Sequence, residues 1–216
     1  MSESIVYSTL KKFLPVEEFE IVRFPQRQHI YFNGDTPEGI YIVISGKIKI
    51  YLNGNGSREQ IIRIAVPNDV IGYENLLNES IFFTSAVAHD DVQLRFIPKD
   101  MFMYLVKNNP EFMNAFLLVL CNDLIEKEKQ TIDFAYMPVR GRLAYALLLL
   151  DNIFKNGADE NISLSRSELA GYIGSVRETT TRLLSEFKHE NLIEINGAEI
   201  KLLNRNKLEE ISKMYE

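Results

Sequence analysis

The 216-residue chain holds a single cysteine, Cys121, so it can form no internal disulfide and no all-cysteine zinc or iron–sulfur cage. Its three histidines, His29, His89 and His189, stand too far apart in sequence to make a local metal motif. No metal or other cofactor is expected. Long apolar runs are missing as well, and nothing approaches the ~18 residues that a membrane span needs. The start, Met1-Ser-Glu-Ser-Ile-Val-Tyr, has no basic segment followed by an apolar stretch, so we expect a cytoplasmic protein without export. Strong positive charge is also absent. The net charge is −6, made up of −5 over residues 1–137 and −1 over residues 138–216. That balance neither favours nor excludes nucleic acid, because affinity depends on where the cations sit on the docking face.

What is present can fill a core: 46% of residues are hydrophobic and 25% charged, ordinary for a globular chain. From Phe24 to about Pro98 the pattern is strand-like. Residues 40–52 are rich in β-branched and aromatic side chains, and Lys47-Ile-Lys-Ile-Tyr alternates polar with apolar. Turn signals recur at Asn33-Gly34-Asp35, Ser45-Gly46, Asn53-Gly54-Asn55-Gly56 and Pro67-Asn68-Asp69. Many short strands with such punctuation predict a β jelly-roll barrel, with the Asn-Gly-Asn-Gly stretch at a hairpin tip. A jelly-roll metal enzyme would need clustered ligands on these strands, where only His29 and His89 are available, so no enzyme is expected.

Beyond Pro98 the character turns helical. Asp100 to Asn109 predicts a short helix, and Pro110 suits the first turn of a longer one reaching about Tyr136. Leu118, Ile125 and Ile132 lie seven apart, as do Leu117, Leu124 and Thr131. The spacing offers a seam either for a second copy, as in a coiled coil, or for the chain's own barrel. Met137-Pro138 should interrupt the helix. The expected division is therefore 1–109 barrel, 110–137 central helix and 138–216 a compact second domain. There, Val139 to Lys155 reads as a helix with Leu143, Leu147 and Leu150 on one stripe, and Asn156 to Glu160 as a loop.

Two capping boxes follow, Ser165 with Glu168 and Ser175 with Glu178, in which the serine oxygen accepts from the N3 amide and the glutamate bonds back. They predict two helices joined by a sharp turn at Gly174, a helix-turn-helix. On the second helix Val176, Thr180, Leu183, Leu184 and Phe187 should face inward. Arg177, Glu178, Thr181 and Arg182 share the outward face. Arginine can bond guanine bidentately and glutamate can accept from cytosine, while helix N-termini and the hydroxyls of Ser165 and Ser175 can hold phosphate. Residues 192–202, with Asn196-Gly197 between two apolar stretches, predict a hairpin and hence a winged helix.

These residues resemble the cyclic AMP receptor/FNR (Crp/Fnr) superfamily of bacterial transcription regulators. Arg177-Glu178-Thr179-Thr180-Thr181-Arg182 matches its R-E-T-x-x-R recognition pattern, and Ser165-Arg166-Ser167-Glu168-Leu169-Ala170 matches its first helix. Val139-Arg-Gly-Arg142 matches the hinge-proximal helix, and residues 39–46 and 68–72 resemble barrel motifs. The resemblance spans about Phe24 to Leu203. It implies an α+β chain: a cyclic-nucleotide-binding-like β jelly-roll, a long central dimerisation helix and a C-terminal winged helix-turn-helix. It further implies a homodimer on a palindromic double-stranded DNA site, half-sites ~34 Å apart, with RNA polymerase as a partner. Arg177, Glu178 and Arg182 would read a TGTGA-like half-site, while Ser165, Arg166 and Thr179 would contact phosphate.

The resemblance also locates an effector pocket at Gly72, Tyr73, Glu74, Thr84, Ser85, Lys127 and Glu128, and here the sequence departs from the cyclic AMP binders. They carry glutamate directly after the glycine and later an Arg-Ser pair that holds the cyclic phosphate. This chain has Tyr73 after Gly72, Glu74 one place late, and Thr84-Ser85 preceded by Phe82-Phe83. Loss of that arginine removes a charge-assisted, potentially bidentate phosphate contact. On the central helix, Asp123 and Glu128 beside Lys127 would repel an anion. The reading is a regulator that answers to a ligand other than cyclic AMP. The alternative is a signalling module whose C-terminal domain contacts protein.

Overall fold

The computed structural model describes residues 5–54, 59–155 and 161–213, except for the side chains at 123, 126, 129, 130 and 132–135. The tip residues Asn55-Gly56, the loop Asn156 to Glu160, and the side chains of Asp123 and Ile132 therefore lie outside the described residues. The chain forms two compact units, Met1–Asn53 with Ile62–Glu126 and Gly54–Ile61 with Lys127–Glu216.

The first unit begins with helix α1 (Ile5–Phe13) and a 3-10 turn at Val16–Glu18. Strands β1 (Ile21–Phe24), β2 (His29–Tyr31), β3 (Gly39–Ser45), β4 (Ile48–Asn53), β5 (Glu59–Ala65) and β6 (Val70–Ile71) follow. Helix α2 (Tyr73–Leu77) then leads to β7 (Ser85–Ala88) and β8 (Val92–Pro98). One sheet runs β1-β8-β3-β6 and the other β2-β7-β4-β5, the two-sheet arrangement of a jelly roll. Strand alternation sorts the core. On β3, Val43 faces into the barrel with Ile48, Ile50, Phe82, Ala86 and Leu94, while Ile40 and Ile42 face a helical layer.

That layer contains α1, α3 (Lys99–Asn108) and the first turns of α4 (Pro110–Tyr136). Phe102, Phe112 and Phe116 are fully buried and meet one another at 5.3–6.2 Å between ring centroids. Farther along α4 the apolar side chains Leu117, Leu118, Leu124 and Ile125 are exposed. Helix α4 ends where the sequence predicts. Proline disfavours helical geometry in the residue before it, and a new helix, α5 (Val139–Lys155), starts just after Pro138.

In the second unit, Leu143, Leu147 and Leu150 of α5 are completely buried. Strand β9 (Ile162–Ser163), α6 (Arg166–Tyr172), α7 (Arg177–His189), β10 (Ile193–Asn196), β11 (Glu199–Leu202) and α8 (Arg205–Lys213) complete it. The hairpin β10–β11 gains β9 as a third strand. Buried Asp151, 3% exposed, receives Arg205 at 2.7 Å and Lys155 at 2.8 Å, which clips α8 to α5. Among the described residues, no helix is long and apolar enough to cross a membrane, and no cluster of three His, Cys, Asp or Glu is placed to hold a metal.

Candidate nucleic-acid interface

The first capping box forms as the sequence predicts. Ser165 Oγ accepts from the Glu168 amide at 3.2 Å, and a Glu168 carboxylate oxygen accepts from the Ser165 amide at 3.0 Å. The second does not form. Helix α7 is capped by Val176, whose side chain cannot accept, and it starts one residue later than expected. The turn between the helices explains this. Gly174 is left-handed, φ +60°, and the Ser175 amide bonds back to the Ala170 carbonyl at 2.9 Å. This is the six-to-one bond of a Schellman ending for α6, and it commits Ser175 to closing the first helix. Arg142 Nη1 also donates to the Gly174 carbonyl, at 3.4 Å.

Helix α7 has two distinct faces. Thr180, Leu183, Leu184 and Phe187 are buried. Val176, expected inside, is 38% exposed, because a capping residue precedes the helical phase that would turn it inward. Arg177, Glu178, Thr181 and Arg182 are exposed on the other side, and Thr179 is half-buried. The Thr181 hydroxyl donates to the Arg177 carbonyl at 2.7 Å. Ser165 and Ser167 are exposed at the start of α6, with Arg166 and Ser175 half-buried.

The wing turns at Gly197-Ala198, one residue later than an Asn-Gly turn would. Asn196 pairs with Glu199, and Gly197 alone has positive φ, +61°, as in a type II′ turn. Arg166 Nη2 donates to the Gly197 carbonyl at 3.1 Å, so the first turn of α6 holds the wing tip.

The barrel residues of the expected effector pocket gather partly. Gly72 caps α2 with φ +91°. Tyr73 is buried, edge-on to Phe116 at 5.7 Å, and Phe82 stacks on Tyr31 at 3.8 Å. Phe83, in the bend before β7, by contrast points to solvent at 65% exposure. The buried Ser85 hydroxyl accepts from the Asn33 amide at 3.0 Å, and half-buried Thr84 bonds the Tyr31 hydroxyl. Burial, helped by the exposed Glu74 carboxylate, raises the Tyr31 pKa. Lys127 and Glu128 are exposed on α4, in the second unit.

Sequence reasoning missed one member of this group, Arg63 on β5. Its Nη2 donates to the Val70 carbonyl at 3.0 Å. Burial alone would lower its pKa, but Glu74, Asp69, Tyr73 and Tyr31 together outweigh that and raise it. The signal was available. Arg63 lies in phase with Ile61 and Ala65, both buried, whereas Ile62 is exposed.

Comparison with known proteins bears on both units. The model of the cyclic nucleotide-binding domain matches residues 21–109, and that of the Crp-like helix-turn-helix domain matches residues 141–211. A global nitrogen regulator from Nostoc sp. is 30% identical over 194 residues, 87% of this chain and 85% of that protein. The chain belongs to the Crp/Fnr family. Another family member, the cyclic AMP receptor protein of Thermus thermophilus, is 27% identical over 199 residues, 92% of this chain and 91% of its own. The fold of this Crp/Fnr protein is shared with a CRP/FNR family transcriptional regulator from Thermus thermophilus, at TM-score 0.76 and 24% identity, covering 91% of this chain and all of that one. It is shared too with a c-di-GMP-responsive global regulator from Xanthomonas campestris, at TM-score 0.73 and 22% identity, covering 90% and 98%.

Proposed function

We propose that this Crp/Fnr protein is a homodimeric, sequence-specific DNA-binding transcription regulator whose barrel answers to a small molecule other than cyclic AMP. The division of labour runs 1–109 for sensing, 110–137 for pairing and 138–216 for DNA. One observation carries the reading of DNA: Arg177, Glu178, Thr181 and Arg182 stand exposed together at the start of a helix whose opposite face is buried. A helix so presented fits the major groove, its arginines matching guanine and its glutamate matching cytosine. Ser165, Arg166, Ser167, Ser175 and Thr179, exposed or half-buried around the starts of α6 and α7, are read as phosphate contacts.

Pairing is supported by the exposed apolar side chains of α4, Leu117, Leu118, Leu124 and Ile125, at spacings that suit a parallel partner helix. The effector reading rests on the barrel. Thr84, not an arginine, stands directly before Ser85, Tyr73 occupies the place after Gly72, and Arg63 is engaged with Val70 and balanced by Glu74. The relatives' names point to different signals (nitrogen, cyclic AMP, c-di-GMP), so family membership alone does not assign one.

Anisotropy of a labelled duplex titrated against salt tests the DNA reading. A dimer that neutralises six to ten phosphates loses roughly 10³-fold or more in affinity between 50 and 200 mM salt. Salt-insensitive association would point to a C-terminal domain that contacts protein instead.

A further inference from the structure

We propose that Glu186 is a positioning residue for sequence reading: anchored by Arg140, it holds Arg182 by one edge and leaves the other edge free for a base. The inference rests on the DNA-reading proposal above. Arg182 is a long side chain, 64% exposed, and left alone it would sample many rotamers and lose that freedom on seating against a base. One turn farther along α7, Glu186 Oε1 accepts from Arg182 Nη1. An exposed pair at this spacing is usually weak, because both partners must be ordered together.

Here one partner is already ordered. Glu186 Oε2 accepts from Arg140 Nη1 at 3.2 Å, across from α5. Arg140 Nη2 contacts both Glu190 oxygens, at 2.8 and 2.7 Å. The Arg140 guanidinium lies over the ring of Phe187, 4.7 Å from its centroid, and Phe187 is completely buried. Order therefore passes from a core ring to a guanidinium, to a carboxylate, and out to Arg182. The four charges of Arg140, Arg182, Glu186 and Glu190 cancel, so Glu186 does not bring net repulsion to a phosphate backbone. Arg182 Nη2 and Nε make no bond to any described residue. Those N–H groups form the side-on edge that can meet guanine O6 and N7 bidentately.

The test is selection of bound sites from random double-stranded DNA by the full-length protein, with melting temperature as the folding control. Glu186→Gln and Glu186→Met, single and combined with Arg182→Ala, are compared with wild type. We expect the Met variant to lower base preference roughly tenfold at one position per half-site, the order a single bidentate pair supplies, and the Gln variant to lower it less. Other positions and the melting temperature should stay close to wild type. In the Arg182→Ala background, Glu186→Met should change nothing further, since the two residues act as one unit. An unchanged preference, an equal loss at every position, or a Glu186 effect that persists without Arg182 would overturn the inference. A wild-type protein that enriches no motif would instead defeat the DNA-reading proposal on which it stands.

Discussion

Arg166 Nη2 donates to the carbonyl oxygen of Gly197 at 3.1 Å, so one side chain at the start of α6 fixes the tip of the wing. Resemblance alone offers Arg166 as a phosphate contact, and the structure adds a brace. Arg166→Ala should cost about 1 kcal/mol, the usual net value of such a bond. It should also speed amide exchange at residues 196–198 severalfold without affecting the α5 core. Hydrogen exchange followed by NMR measures both, and unchanged wing protection would contradict the brace.

The two serines that the sequence offers as equivalent caps should differ in stability. Ser165→Ala removes a formed capping box and should cost about 1 kcal/mol in urea unfolding. Ser175→Ala removes a hydroxyl that caps nothing, while the backbone bond to Ala170 stays, and should cost less than about 0.5 kcal/mol. Equal losses would mean that Ser175 caps α7 after all.

Alkaline unfolding should depend on Tyr172 in α6. Burial first, and Tyr145 second, pushes this phenol from an ordinary value near 10 up to about 12. The unfolded chain therefore releases the proton at lower pH than the folded one. The contribution to stability is intact below pH 10 and is lost as pH rises toward 12. Tyr172→Phe should flatten the fall in that window relative to wild type, as followed by denaturant midpoints across pH. Parallel curves for the two proteins would contradict it.

Cyclic AMP should bind weakly or not at all. The barrel has Thr84 instead of an arginine directly before Ser85, and Arg63 on β5 is balanced by Glu74 and Asp69. Calorimetry should detect no binding at micromolar concentrations, and an affinity in that range would overturn the effector reading.

Local rules made much of this legible from the sequence. Helix α4 runs from Pro110 to Tyr136 because proline marks both its start and its stop. The Ser165–Glu168 box forms because both of its bonds are contained in four residues. Ser175–Glu178 carries the same pattern and fails, since the Schellman ending at Gly174 claims Ser175 first. Such competition between adjacent elements has no signature in a four-residue window. Long-range relations were out of reach for a similar reason. Arg140 and Glu186 lie 46 positions apart, as Arg166 and Gly197 lie 31 apart, and no periodicity connects them. Arg63 is the case that could have been caught, because a charge in phase with two buried strand residues must find partners inside.

The central claim is that the exposed start of α7 reads bases, and selection from random DNA with wild type and Glu178→Ala tests it most directly. The account predicts that wild type enriches a two-fold symmetric motif with half-sites about one helical turn apart. Glu178→Ala should keep that symmetry and relax preference at one position in each half-site, by about 1–3 kcal/mol of lost discrimination. No enriched motif, or an identical motif from both proteins, would contradict it.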